Sequence, residues 1–150
     1  MNDTKTLLEE DNVISLRTAY VHDDGDVIAF RLLPAWLGSS IPGNKPKGFD
    51  WVSQDSVWLY RHMRSASDEA KLVRGFPCMQ QYVKPMVFEN PPEFRLLWTD
   101  SGNSVALYIN GEPWAFIDEQ THQGYSKGIL QSKYNNAWNQ ELFEKIFVAK

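Results

Sequence analysis

The stretch that decides the fold is Phe94-Arg95-Leu96-Leu97-Trp98-Thr99-Asp100-Ser101-Gly102-Asn103-Ser104-Val105-Ala106-Leu107-Tyr108-Ile109-Asn110-Gly111-Glu112-Pro113-Trp114-Ala115-Phe116-Ile117-Asp118. Asn-Gly between two apolar runs is a strong hairpin signal, because a type I′ turn needs positive φ at both central positions. Asp100-Ser101-Gly102-Asn103 has the composition of a second, four-residue loop. Together they predict a three-strand meander over 94–99, 104–110 and 113–118. Both turns give one register: Trp98, Val105 and Phe116 in a row, Leu96, Leu107 and Trp114 in the next, and Phe94 beside Ile109. Agreement between separate local signals supports that phase. The opposite face would carry Leu97, Ala106, Ala115 and Ile117, where small alanines let a helix or second layer approach.

Downstream, Trp138, Leu142, Phe143, Ile146 and Phe147 recur at helical spacing, with Glu141, Glu144 and Lys145 opposite. This predicts an amphipathic helix over 136–148, capped by Asn135, Asn136 or Asn139 and packed on one face of the sheet. Upstream, Asp24-Gly25 predicts a second I′ hairpin joining 13–22 to 27–33. That register sets His22 opposite Val27, Tyr20 opposite Ala29 and Ala19 opposite Phe30. One face is Ala19, Val21, Ile28, Phe30 and Leu32; the other is Leu16, Tyr20, Val27, Ala29 and Leu33, with Thr18, His22 and Arg31 among them.

Between the two units the pattern is mixed. Ser39 to Asp50 is a loop by its Pro, Gly and Asn content. Ser67 to Arg74, capped by Ser67 and closed by Gly75, reads as a short helix. Residues 56–63 fit a helix or a strand equally, 86–89 fits an edge strand between prolines, and 1–10 fits a short N-terminal helix. The fold expected is α+β: an antiparallel sheet of about five strands with the C-terminal helix on one face and short helices in the middle. The two hairpin units would form one open sheet or a half-barrel.

The 150 residues amount to a single globular domain over 1–150, long enough to bury roughly 68–70% of the unfolded surface without staples. Hydrophobic residues at 43% and charged residues at 23% set it apart from disordered and low-complexity chains. One cysteine, Cys78, excludes an internal disulfide framework and a thiolate zinc cluster, and no family signature makes it a nucleophile. The first residues lack an apolar run, and no apolar stretch approaches the ~20 residues of a membrane helix, so a cytoplasmic protein with no membrane partner is expected.

The net charge of −4 is uneven. Residues 1–30 hold seven acids against two bases, whereas 45–84 hold seven bases against four acids. Overall acidity argues against nucleic acid as a partner, since phosphate neutralisation drives that affinity, while the basic middle suits a small anion. The three histidines, His22, His62 and His122, match no HExxH or HxH spacing, so no metal and no cofactor are expected. Asp23, Asp24 and Asp26 lack the spacing and closing Glu of a calcium loop. Nucleophile-elbow, P-loop, Rossmann and kinase motifs are all missing from the sequence.

Six tryptophans are the unusual count. They mean either a bulky core or a surface built to touch something. Trp58-Leu59-Tyr60-Arg61-His62-Met63-Arg64 places aromatics beside arginines and a histidine, a composition that grips anions and flat rings. The polar run 118–128 leaves the last strand and holds His122, Tyr125 and Lys127, where loops on a rigid sheet carry function. The expectation is a non-catalytic binding module with an aromatic-lined groove for a small molecule or a protein partner. Its ligand-binding candidates are Trp58, Tyr60, Arg61, His62, His122, Tyr125 and Lys127. The alternative is a small enzyme using general acid–base chemistry, which would need at least two of His62, His122, Tyr125, Lys127 and Asp118 to meet in one pocket. Surplus aromatics would also serve as anchors in a homo-oligomer.

Overall fold

The computed structural model describes residues 5–35, 55–63, 71–74, 80–130 and 137–148. Along these residues run β1 (Lys5–Asp11), β2 (Thr18–Asp23), β3 (Val27–Leu32), β4 (Ser56–His62), β5 (Lys71–Arg74) and β6 (Gln80–Val83). They continue as β7 (Pro85–Met86), β8 (Phe94–Trp98), β9 (Val105–Ile109), β10 (Glu112–Asp118) and β11 (Gln123–Ser126). A single short helix follows, α1 (Gln140–Phe143), which widens into a π-helical turn over Glu144–Val148.

The strands are divided between two main sheets. The first has the order β1-β2-β3-β4-β7, antiparallel except for the parallel β4–β7 pair. The second has the order β11-β10-β9-β8, and β5 with β6 makes a separate ribbon. The predicted single sheet of about five strands is therefore corrected to two antiparallel-rich sheets. Each buries an inner face in one shared core: Ala19, Val21, Ile28, Phe30, Leu32 and Val57 from the first, with Val105, Leu107, Ile109, Trp114, Ala115 and Ile117 from the second. Residues 82–86 link the sheets. Arg61 N–H donates to Lys84 O on one side, while Lys84 N–H donates to Gly128 O and Leu130 N–H to Tyr82 O on the other.

Residues 110–111 form the predicted turn, with φ of 51° at Asn110 and 82° at Gly111. The β8–β9 register is also as predicted: Phe94 opposite Ile109, Leu96 opposite Leu107, Trp98 opposite Val105. Across β10 it is not. A bulge between Pro113 and Ala115 moves Phe116 opposite Ala106 and Ile117 opposite Val105. Pro113 has no N–H to give the ladder, and one extra residue turns every later side chain to the other face. Phe116 thus leaves the inner row, and Ala115 and Ile117 enter it.

The first hairpin keeps its faces but shifts by two residues: His22 pairs with Ala29, Tyr20 with Arg31 and Ala19 with Leu32. Asp23 Oδ1 accepts from Gly25 N–H, and Asp24 Oδ1 accepts from Asp26 and Val27 N–H, opening a longer loop in which Gly25, but not Asp24, has positive φ. A shift of two preserves the side-chain period, so Ala19, Val21, Ile28, Phe30 and Leu32 still share the inner face.

Four local expectations are corrected. Residues 5–11 are a strand, since a short polar helix cannot repay nucleation whereas the β2 edge offers a ladder. Lys71–Arg74 pairs with Gln80–Val83 in place of the short helix for the same reason. Residues 13–17 are a loop and not the start of a strand: Asn12 Oδ1 accepts from Ile14 and Ser15 N–H. Val13 is left 87% and Ile14 70% exposed. The helix starts at Gln140, where Asn139 Oδ1 caps Leu142 N–H at 3.0 Å. Residues 56–62 resolve as strand. The loop at 39–50, the Ser67 cap, Gly75 and Cys78 lie outside the described residues.

Candidate ligand site on the outer face of the first sheet

β4 is the spine of the molecule, and its bulge sorts the predicted site residues. Ala29 lies opposite Trp58 and Ile28 opposite Tyr60, which leaves Leu59 as the extra residue. Leu59 O accepts from Trp114 Nε1 at 2.8 Å and from Ser126 Oγ at 3.5 Å. Gly128 lies so close above this carbonyl that an added Cβ would fall 1.7 Å from the oxygen. Trp58 and Arg61 therefore point to the outer face of the first sheet, and Tyr60 and His62 to the inner side.

The outer face is buried but not apolar. Along β2 and β3, Tyr20 lies opposite Arg31 and His22 opposite Ala29; across to β4, Arg31 faces Ser56, Ala29 faces Trp58 and Val27 faces Arg61. Arg31, Ser56, Trp58 and Arg61 are all buried. Arg31 Nε donates to His22 Nε2 at 3.0 Å, and an arginine can only donate, so the neutral imidazole carries its proton on Nδ1. The Tyr20 and His22 rings are 5.4 Å apart. Arg61 Nη1 donates to His62 O at 3.2 Å. The β1 carboxylates Glu9 and Asp11 stand exposed at the rim, where Asp11 accepts from Thr18 Oγ1 at 2.8 Å.

Trp58 is only 1% exposed and Ser56 only 3%, yet Trp58 Nε1 and Ser56 Oγ have no hydrogen-bond partner among the described residues. The other described tryptophans differ. Trp98 Nε1 donates to Glu10, Trp114 Nε1 to Leu59 O and Trp138 Nε1 to Gln140. A buried donor without an acceptor is uncommon and costs about 1–3 kcal/mol, so its position is informative.

The remaining candidates lie in three other places. His62 Nε2 donates to Asp23 Oδ2 at 2.8 Å, at the end of the inner face. Buried Tyr60 is beside this pair, its phenol pushed up to about 12 by burial and then by the Asp23 charge. His122 Nδ1 donates to Asp55 Oδ1 at 3.0 Å, and Asp55 Oδ2 also accepts from Arg17 Nη2. Tyr125 stacks on Phe116 beneath the helix, and Lys127 stands 4.8 Å over the Trp138 ring and 3.5 Å from Glu112. Asp118 accepts from Thr121 Oγ1 and Gln120 N–H, closing the β10–β11 turn in which His122 has φ of 57°. Of the seven, then, the structure joins Trp58 with Arg61, and Tyr60 with His62, and separates the rest. Among the described residues no three His, Cys, Asp or Glu side chains gather as a metal site.

The sequence reading placed Tyr20, His22 and Arg31 on one hairpin face with Val27 and Ala29, as found, but named none of them, nor Ser56, as a ligand candidate. The available signal was Arg31 in the otherwise apolar run 27–33, which acquires meaning once 56–62 is a strand beside it.

Among the described residues, then, the two main β-sheets pack face to face, with the helix on one outer face and, on the other, a buried surface that carries Arg31, Ser56, Trp58 and Arg61. Comparison with protein-family models, with curated proteins and with solved structures finds no match. Among the described residues no helix is long and apolar enough to cross a membrane.

Proposed function

We propose that the protein is a binding module that holds a small molecule against the outer face of β2, β3 and β4. The observation that carries this reading is the buried Trp58 N–H, without a partner among the described residues, on a face that also holds Arg31 and Arg61. Natural proteins rarely leave such a donor unmet, and ligand sites are mostly apolar or aromatic surfaces with a few convergent polar groups. A thermal-shift and tryptophan-fluorescence screen across chemically diverse metabolites tests it. At least one class is expected to raise Tm, with the response lost in Trp58→Phe; silence across the whole collection overturns the reading.

A second reading is general acid–base chemistry at His122. What favours it is a ring fixed through Nδ1 by buried Asp55 while the side chain stays 60% exposed, leaving Nε2 outward. It predicts turnover of an ester or phosphoester that His122→Gln abolishes, whereas the binding reading predicts none.

A further inference from the structure

We infer that a second copy of this chain pairs with β8, the open edge of the second sheet, in a two-fold antiparallel register centred on Leu96. The interface lies away from the outer face of the first sheet and does not depend on the binding reading above.

Four strands end the two main sheets. Of these, β11 lies against β4, where Gly124 faces Ser56 O, and β7 is only Pro85–Met86. The other two, β1 and β8, differ. β1 has the devices by which proteins blunt an edge: a bulge between Thr6 and Leu8, and the exposed charges of Lys5, Glu9, Glu10 and Asp11. β8 has no bulge over Phe94–Trp98, and Arg95 is its only charged residue. Asn110 N–H donates to Glu93 O and Thr99 N–H to Ser104 O. Antiparallel bonds fall on alternate residues, so Glu93, Arg95, Leu97 and Thr99 bond to β9. The N–H and C=O of Phe94, Leu96 and Trp98 turn the other way, and no described strand lies there.

A two-fold axis at Leu96 sets Leu96 against Leu96 of the second copy and Phe94 against its Trp98. Every outward N–H of one strand then meets an outward C=O of the other. A register centred on Arg95 instead opposes the two arginines and sets Trp98 against Pro92, which has no N–H to give. Phe94, Leu96 and Trp98 already pack against the core, and the Leu96-centred pairing continues that apolar row into the second copy. On the outer face Arg95 meets Leu97, itself 39% exposed, while Glu93 meets Thr99 and Asp100 meets Pro92. The nearest like charges are the two Arg95 groups, on a diagonal of about 7–8 Å and exposed to solvent. β1 runs beside β8 in the same direction, since Trp98 Nε1 donates to Glu10 and Gly102 lies against Asn12. The axis therefore turns the Lys5 end of one β1 towards the acidic Glu9–Asp11 end of the other, a complementary arrangement. Such a pair closes on itself, because it consumes both β8 edges and leaves the guarded β1 edges outermost.

Sedimentation equilibrium between about 1 μM and 1 mM, with amide hydrogen exchange over the same range, tests the inference. A dimer is expected, and the amides of Phe94, Leu96 and Trp98 should gain protection as concentration rises. Leu97→Arg puts an arginine opposite Arg95 of the other copy at two symmetric places, and should raise the dimer Kd about tenfold. Leu97→Glu puts a carboxylate there and should lower it. Adding Arg95→Glu to Leu97→Arg should restore the dimer, which separates lost pairing from lost folding. A monomer throughout the range overturns the inference. So does a dimer that ignores the sign of charge at residue 97 or leaves these amides unprotected, and so does assembly that grows beyond two chains.

Discussion

The two outer faces of this molecule are buried in opposite ways. On the second sheet, Ala106, Phe116 and Tyr125 meet Phe143 and Phe147 of the helical segment. Phe116 alone has ring centroids of Tyr125, Trp138, Phe143 and Phe147 within 5.9 Å. The Trp138 N–H that borders this face is bonded. On the first sheet, the buried face carries two arginines, a serine and an indole donor that has no acceptor among the described residues. One face is finished as packing. The other leaves an indole N–H and a hydroxyl without a hydrogen-bond partner among the described residues, and the binding proposal rests on that difference.

The largest expected effect would break the comparison on the packed side. Phe116→Ala should cost about 3–5 kcal/mol in chemical denaturation, since the helix cannot close over the lost ring. A cost near zero would mean that the helix does not depend on this face. The next test sets two tryptophans against each other. Trp114→Phe deprives Leu59 O of its indole donor, whereas Trp58→Phe deletes a donor that has no partner, so the former should cost about 1–3 kcal/mol more. Equal losses would remove the distinction between the faces. Smaller still, Asn139→Ala should cost about 1 kcal/mol through loss of the cap, visible as a lower Tm with unchanged ligand response.

The last of these contrasts concerns pH and the inner end of β4. Tyr60 has a folded pKa of about 12 against an ordinary 10.0. A raised phenol leaves stability intact below pH 10 and removes it as pH climbs from 10 towards 12, because the unfolded chain ionises first. Ultraviolet titration should show Tyr60 ionising late, and Asp23→Asn should bring it down only in part, since burial is the larger cause.

Turn chemistry made the reversals of this fold legible, but not always the strand phase beyond them. Asn110-Gly111 set its hairpin because both residues had to adopt positive φ. Asp24-Gly25 did not, because the Asp23 and Asp24 carboxylates bind nearby amides and lengthen the loop, yet the period of two kept the faces intact. Phe116 was assigned to the wrong face by a single bulge after Pro113, a shift that no alternation pattern announces. The N-terminal strand and Lys71–Arg74 were hidden because both depend on partners distant in sequence. Of the proposed ligand face, Trp58 and Arg61 were visible as an aromatic–basic cluster. Tyr20, His22 and Arg31 were already legible as one hairpin face, but only the β3–β4 register, which composition does not carry, brought that face beside Ser56, Trp58 and Arg61. Tyr60 and His62, their neighbours in sequence, were parted from Trp58 by strand alternation.

The central claim is tested most directly by the indole N–H region of a nitrogen-15 correlation spectrum of the ligand-free protein, assigned by tryptophan substitution. The account predicts that the Trp58 proton resonates upfield of those of Trp98, Trp114 and Trp138, as an unbonded N–H does, and exchanges slowly with solvent. A downfield, hydrogen-bonded position or rapid exchange for Trp58 would contradict it.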